Sequence, residues 1–266
     1  VTTKTPAHLK GTDAITWLER AGLPALAYAA TPGRSPGIVF LGGFASNMNG
    51  TKALAMEAAA LSRGHSFLRL DYRGHGHSDG NFADATIGDW LEDALCVFDR
   101  VTSGPQIVIG SSMGGWIALL LALARPGRVR GLIGIAAAPD FTERLIWNRL
   151  GDADRETLLR DGVLMPPSPY GDPIPITLRL IEEGRRHLVL DRAVPFTGPA
   201  RLLHGQRDAD IPWAHAILTA EKLASDDVRT ILIKDGDHRL SRPQDIALLI
   251  ETLEELIGLV GGAKAA

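Results

Sequence analysis

Apolar and polar positions follow one another along this chain in two rhythms. Ile38-Val39-Phe40-Leu41, Ile107-Val108-Ile109, Val129–Ala136 and Ala200–Gly205 are short, nearly continuous apolar runs. Runs of that length, rich in branched residues, read as strands buried on both faces. Ser66–Leu70 and Arg229–Ile233 read as two more strands, and Ala14–Arg20 with Leu23–Ala29 as an opening hairpin around Ala21-Gly22. Thr31–Gly37 reads as a turn. Between the runs lie stretches with helical spacing: Lys52–Arg63 followed by Gly64, Ile87–Val101, Ile117–Ala124, Trp213–Leu223 and Asp245–Leu259, before a Gly/Ala/Lys tail expected to fray. Strands and helices alternating over short connections predict an α/β architecture, a mostly parallel central sheet with helices on both faces.

The alternation breaks between Ala138 and Pro199. Helical pieces are expected there at Phe141–Leu150 and Ile176–Leu188, around the turn Pro166-Pro167-Ser168-Pro169. The break follows the C-terminal end of a strand, the edge at which open α/β sheets bind ligands. A structureless loop of that length is uncommon. The stretch is therefore read as a small helical cap, dividing the chain into 1–137 (first part of the core), 138–199 (cap) and 200–266 (second part of the core).

Composition narrows the function. With 266 residues, 45% of them hydrophobic, the chain can bury a large core. A net charge of −3 without a basic stripe argues against a nucleic-acid partner. The single cysteine, Cys96, excludes an internal disulfide and falls in an amphipathic pattern that suits a buried structural thiol. The apolar runs are too short to span a bilayer, and Val1–Pro6 is too polar for a signal peptide. The expectation is a soluble, cytoplasmic protein, with an earlier-removed targeting peptide left open.

The chemistry centres on Gly110-Ser111-Ser112-Met113-Gly114, which interrupts an apolar strand run and leads into an apolar helix. Gly-x-Ser-x-Gly in that context is a nucleophile elbow, with Ser112 exposed at the tip of a tight turn and the Met113 amide facing the same site. A serine hydroxyl needs a base. Of the eight histidines, His238 lies just beyond the strand Arg229–Ile233, on the same sheet edge as Ser112. His75 and His77 reach that edge upstream of the serine. His204 sits inside an apolar strand and reads as a core histidine, and His8, His65, His187 and His215 have no such context. The base needs an acid to orient it. Asp208, nearest the end of the strand before it, is the candidate. Asp210 reads as the cap of the next helix, with Pro212 in its first turn, and Asp140 as the cap of the insertion's first helix. The second oxyanion donor is placed at the Phe44 amide, after Gly42-Gly43. No histidine and carboxylate spacing suggests zinc, and no cofactor is called for. Trp147 and Met165, with Leu145, Ile146 and Leu164, are candidates to line an acyl pocket. Arg179, Arg185 and Arg186 read as a solvated helix face, with contact to an acidic leaving group as the alternative.

In order, Gly42-Gly43-Phe44, Asp71-Tyr72-Arg73-Gly74-His75-Gly76-His77-Ser78, the elbow, and Gly205-Gln206-Arg207-Asp208 with Gly236-Asp237-His238 resemble the motifs of the α/β-hydrolase superfamily. Leu41 stands where the oxyanion motif of many members has histidine. The resemblance spans nearly the whole chain and implies a serine hydrolase cleaving small-molecule carboxylic esters or thioesters through an acyl-enzyme. The segments Gly110–Trp116, Ala124-Arg125-Pro126 and Leu132–Ala136 are similar to a mitochondrial palmitoyl-protein thioesterase and acyl-glucuronide esterase subfamily, which implies a bacterial relative of that group. Two other readings keep the fold: a small-molecule receptor with little turnover, and an amidase, acyltransferase or C–C hydrolase using the same triad. Neither substrate nor oligomeric state is set by the sequence.

Overall fold

The computed structural model describes residues 15–167 and 173–262. The polar start Val1–Pro6, His8, Ala14, the Ser168-Pro169 half of the proline turn and the last four residues lie outside them. The chain opens with the antiparallel hairpin β1 (Thr16–Arg20) and β2 (Leu23–Thr31). Next come β3 (Arg34–Leu41), α1 (Thr51–Ser62), β4 (His65–Leu70), α2 (Ile87–Val101), β5 (Gln106–Ser111), α3 (Met113–Ala124) and β6 (Val129–Ile135). The expected turn at Thr31–Gly37 is shorter than its sequence suggests. Only Pro32 and Gly33 lie between β2 and β3. A Cβ on Gly33 would sit 2.3 Å from the backbone of His65, so glycine lets the reversal pack against β4.

After β6 the chain leaves the sheet. A π-helical turn at Thr142–Ile146 runs into a 3-10 turn at Trp147–Arg149. Then follow α4 (Asp152–Asp161), the two-residue strands β7 (Val163–Leu164) and β8 (Ile176–Thr177), and α5 (Leu178–Gly184). The sheet resumes with β9 (Ala200–Gly205), α6 (Ala214–Lys222), β10 (Val228–Ile233) and α7 (Pro243–Gly262). The eight strands order as β1-β2-β4-β3-β5-β6-β9-β10, and the six from β4 to β10 in that row run parallel. Helices cover both faces. Trp90 and Phe98 of α2, Trp116 and Leu121 of α3 and Ala216 of α6 share one core. Met56 of α1 with Leu249, Leu253 and Leu256 of α7 fills the other. Ten of the twelve residues of α3 are buried, as expected for a helix apolar on every side.

The insertion refines two sequence expectations. Phe141–Leu150 is helical as expected, but as a π-turn at Thr142–Ile146 followed by a 3-10 turn at Trp147–Arg149. The second piece begins with strand at Ile176, and its helix starts only at Leu178, where the Thr177 hydroxyl accepts the Leu180 amide. Helix α4 has no counterpart among those expectations. It is polar almost all round, with Leu158 its single buried residue, so no apolar stripe announces it. Gly151 at its start, Asp152 and Asp154 in its first turn and Gly162 at φ +76° beyond its end mark its limits instead.

Candidate active site

All six parallel strands end at one rim, and the candidate residues sit in the loops that leave it. Ser112 lies between β5 and α3 with φ 54° and ψ −120°. A non-glycine residue there carries strain of about 1–3 kcal/mol, which persists only where the surroundings over-determine it. Here they do. The Ser112 amide donates to Ile135 O at 2.9 Å, and its carbonyl accepts Gly115 N at 2.9 Å and Ala138 N at 3.0 Å. The glycines are needed for contact as well as for the turn. A Cβ on Gly110 would lie 2.3 Å from Gly114 O, and one on Gly114 would lie 2.2 Å from Leu41 O.

His238 and Asp208 come from adjacent strands. Gly205, at the end of β9, would drive a Cβ to 2.2 Å from Gly236 O. Glycine there lets the two loops cross, sealed by the Arg207 amide on Gly236 O at 2.9 Å and the Gln206 amide on Ile233 O at 2.8 Å. His238 Nδ1 is then 2.8 Å from Asp208 Oδ2. With Nδ1–H donating to that oxygen, Nε2 is left unprotonated, the tautomer a general base requires. The other oxygen, Asp208 Oδ1, accepts the amides of Asp210 and Ile211, each at 2.9 Å. Burial opposes the charge of the Asp208 carboxylate. The hydrogen bonds from His204, His238 and the Ile211 amide outweigh it and hold the carboxyl well below the usual range. The donor atoms of Asp208, Asp210 and His238 fall within 4.8 Å of one another, a spacing that could take a cation. Both Asp208 oxygens are already committed as described.

The sequence expectation for Asp210 is corrected. Helix α6 begins at Ala214 with Trp213 as its first flanking residue, three positions beyond Asp210. The Asp208 carboxylate captures the next amides and keeps the chain in a turn through Ile211. The carboxylate paired with His238 is that of Asp208, and Asp140 is engaged elsewhere. Its fully buried carboxylate accepts the amides of Val189 and Leu190, each at 2.8 Å, and so ties the two ends of the insertion together.

The loop after β3 carries Gly42-Gly43-Phe44 to the serine. A Cβ on Gly43 would stand 3.3 Å from Ser112 Cβ. The Phe44 ring turns away and packs edge-on against Phe82, Trp90 and Phe141 at 4.8–5.7 Å. The motif Asp71–Ser78 braces this loop from behind. Asp71 accepts Met48 N at 2.6 Å and His77 N at 2.9 Å, and His75 Nε2 accepts the amide of Ala45, itself at φ 54°. Burial pushes His75 down to about 4, so it is neutral and can accept. Arg73 clamps the motif to α2 through Asp93, Asp89 and Glu92. This buttressing is invisible in the sequence beyond the motif itself.

Ser112, His238, the Gly42–Phe44 backbone, Ser46 and Lys52 line one cavity of about 730 Å³. Lys52 Nζ donates to the Arg239 carbonyl. Burial, and then the Arg239 charge, lower it to about 8. Neither expected acyl-pocket residue borders this cavity. Met165 is 56% exposed. The guanidinium groups of Arg155 and Arg185 both lie over the Trp147 ring, each 5.0 Å from its centre. Arg185 also pairs with Glu143 at 2.7 Å, and Arg179 lies 3.7 Å from Asp89. Cys96 is half-buried rather than buried. No helix among the described residues is long and apolar enough to cross a membrane.

Comparison with known proteins follows the same line. Residues 35–154 match the family described as serine aminopeptidase, S33. The bovine mitochondrial palmitoyl-protein thioesterase ABHD10 is 42% identical over 245 residues, which is 91% of this chain and 80% of that protein. The structure of mouse α/β hydrolase domain-containing protein 10 superposes with a TM-score of 0.87 at 42% identity, covering 92% of this chain and 99% of that one. A protein from Agrobacterium vitis S4 named as a hydrolase gives 0.88 at 39% identity, covering 92% and 98%.

Proposed function

The chain belongs to the α/β-hydrolase family that includes the mitochondrial palmitoyl-protein thioesterases ABHD10, and on this premise we propose that it cleaves acyl thioesters or esters at Ser112. It is a serine hydrolase by family. The single observation carrying the site assignment is the 2.8 Å bond from His238 to Asp208 beside the same cavity that holds Ser112. In this reading His238 Nε2 takes the Ser112 proton as the oxygen attacks the acyl carbonyl. The amides of Met113 and Phe44 hold the oxyanion. His238 returns the proton to the leaving thiol or alcohol, then activates water to release the acid and free Ser112. Asp208 keeps the imidazole in the working tautomer and stabilises its charged form.

Residues 138–199 act as a cap in this proposal, since Phe141 packs against Phe44 and Trp116 Nε1 donates to His187 O at 3.0 Å. The cytoplasmic location expected from the sequence also stays a proposal, beside relatives named as mitochondrial. Initial rates on acyl thioesters and aryl esters of graded chain length test the reading, with Ser112→Ala as control. Turnover that rises with chain length on thioesters and vanishes in Ser112→Ala is the expected result. Turnover that survives Ser112→Ala overturns the assignment, and saturable binding without turnover in the parent protein favours a receptor.

A further inference from the structure

His204 occupies β9 with both ring nitrogens sealed from solvent, its side chain 0% exposed. Its Nε2 lies 2.9 Å from Ile211 O, which can only accept, so Nε2 carries the proton. The same atom is 3.2 Å from Asp208 Oδ2, the oxygen that also receives His238 Nδ1. Nδ1, on the far side of the ring, makes no hydrogen bond among the described residues. A buried polar nitrogen left without a partner costs about 1–3 kcal/mol. A leucine or valine at this penultimate position of β9 would fill the buried site without that cost. What an apolar side chain would not supply is the ring N–H that faces Ile211 O and Asp208 Oδ2.

What the imidazole does is close the cage around one carboxylate. Two backbone amides fix Oδ1, and His204 Nε2–H stands against Oδ2 while binding the carbonyl that closes the same turn. Oδ2 is then left one free direction, the one His238 uses. We infer that His204 is a positioning residue that aims Asp208 at His238, a role that rests on the triad reading above.

Glutamine and asparagine substitutions separate this role from packing. A glutamine side chain at this position can bring an N–H to the place of Nε2, whereas an asparagine side chain is too short to do so. Three quantities are read on the full chain: kcat and KM on an aryl ester, the low-field proton resonance of the His238 Nδ1–H, and the melting temperature. His204→Asn should lower kcat about 10- to 100-fold, the range a loosened catalytic geometry produces, with KM unchanged within about twofold. The low-field resonance should move or broaden in that variant. His204→Gln should recover kcat to within about threefold of the parent, together with the parent resonance. Parent-like kcat and resonance in His204→Asn overturn the inference. So does equal loss in both variants that tracks melting temperature while the resonance stays put, which marks a packing role. Asp208→Asn in the same assay tests the underlying reading. Full activity there removes the triad itself, whatever the His204 variants do.

Discussion

The rim loops of the sheet and the 138–199 insertion lie next to one another but are held by different means. At the rim, backbone touches backbone. Gly114 sits where any side chain would strike Leu41 O, Gly205 where it would strike Gly236 O, and the strained Ser112 is fixed by three main-chain hydrogen bonds. Such contacts have no slack, and they bring Ser112, Asp208 and His238 to one rim. The insertion is held largely by side chains, the Asp140 carboxylate on two amides, two arginines over the Trp147 ring and Glu183 on the Gly88 amide at 3.0 Å, with main-chain bonds to the core near its ends at Ala138, Val194 and Pro199.

The largest expected effect tests that division at two aspartates. Asp208→Asn should lower kcat on the order of 10⁴-fold by favouring the wrong histidine tautomer, with little change in folding. Asp140→Asn should leave kcat within about tenfold, since the carboxylate touches the insertion and not the base. Comparable losses of kcat in the two, measured at saturating ester, would break the distinction between rim and insertion.

Stability should show the reverse order. Asp140→Ala strips the Val189 and Leu190 amides of their acceptor, and denaturant titration should show a loss of about 2–5 kcal/mol. A loss below about 0.5 kcal/mol, the range of an ordinary surface change, would mean that the insertion is tied down elsewhere.

The bracing of the rim has a pH signature. His75 is held neutral, pushed down to about 4 from an ordinary 6.5. Between those values the unfolded chain binds a proton at this position that the folded chain does not. Stability therefore falls as pH drops from about 6.5 to 4 and levels off below, by about 3 kcal/mol from this residue alone. Burial lowers His215 as well, which adds to the fall in the same direction. Melting curves across that pH window check it, and His75→Gln should flatten the slope. A parent protein with no slope there would contradict the neutral brace.

The smallest effect belongs to Met165, exposed on the insertion. Met165→Ser should change stability by no more than about 0.5 kcal/mol and leave ester turnover unaltered. A rise in KM confined to long acyl chains would instead restore Met165 to the acyl pocket.

The same division explains what can be read from the sequence. The buried strands show as continuous apolar runs, and α2 as an amphipathic pattern whose Thr86 and Asp89 form a capping box at its start. Ser112, Asp208 and His238 are legible because each follows a strand in a short glycine-marked loop, so the alternation alone puts them on one edge. The insertion is less legible because its order does not come from periodicity. Helix α4 buries only Leu158, and the start of α5 is moved by a two-residue strand that pairs with Val163 and Leu164, on the far side of the proline turn. The Asp210 cap fails for a local reason, since Asp208 holds the chain in a turn through Ile211 and the helix starts only at Ala214. His204 has the sequence signature of an ordinary core histidine, and nothing in an apolar strand pattern signals that its ring reaches the carboxylate of Asp208.

The most direct test is the site and base dependence of covalent labelling by a fluorophosphonate, mapped by peptide mass spectrometry in the parent and in His238→Gln. The triad reading expects the adduct on the peptide containing Ser112, localised to that residue, and its formation lost in His238→Gln. An adduct on Ser111, Ser46 or Ser241, or labelling of Ser112 at an undiminished rate without His238, would contradict it.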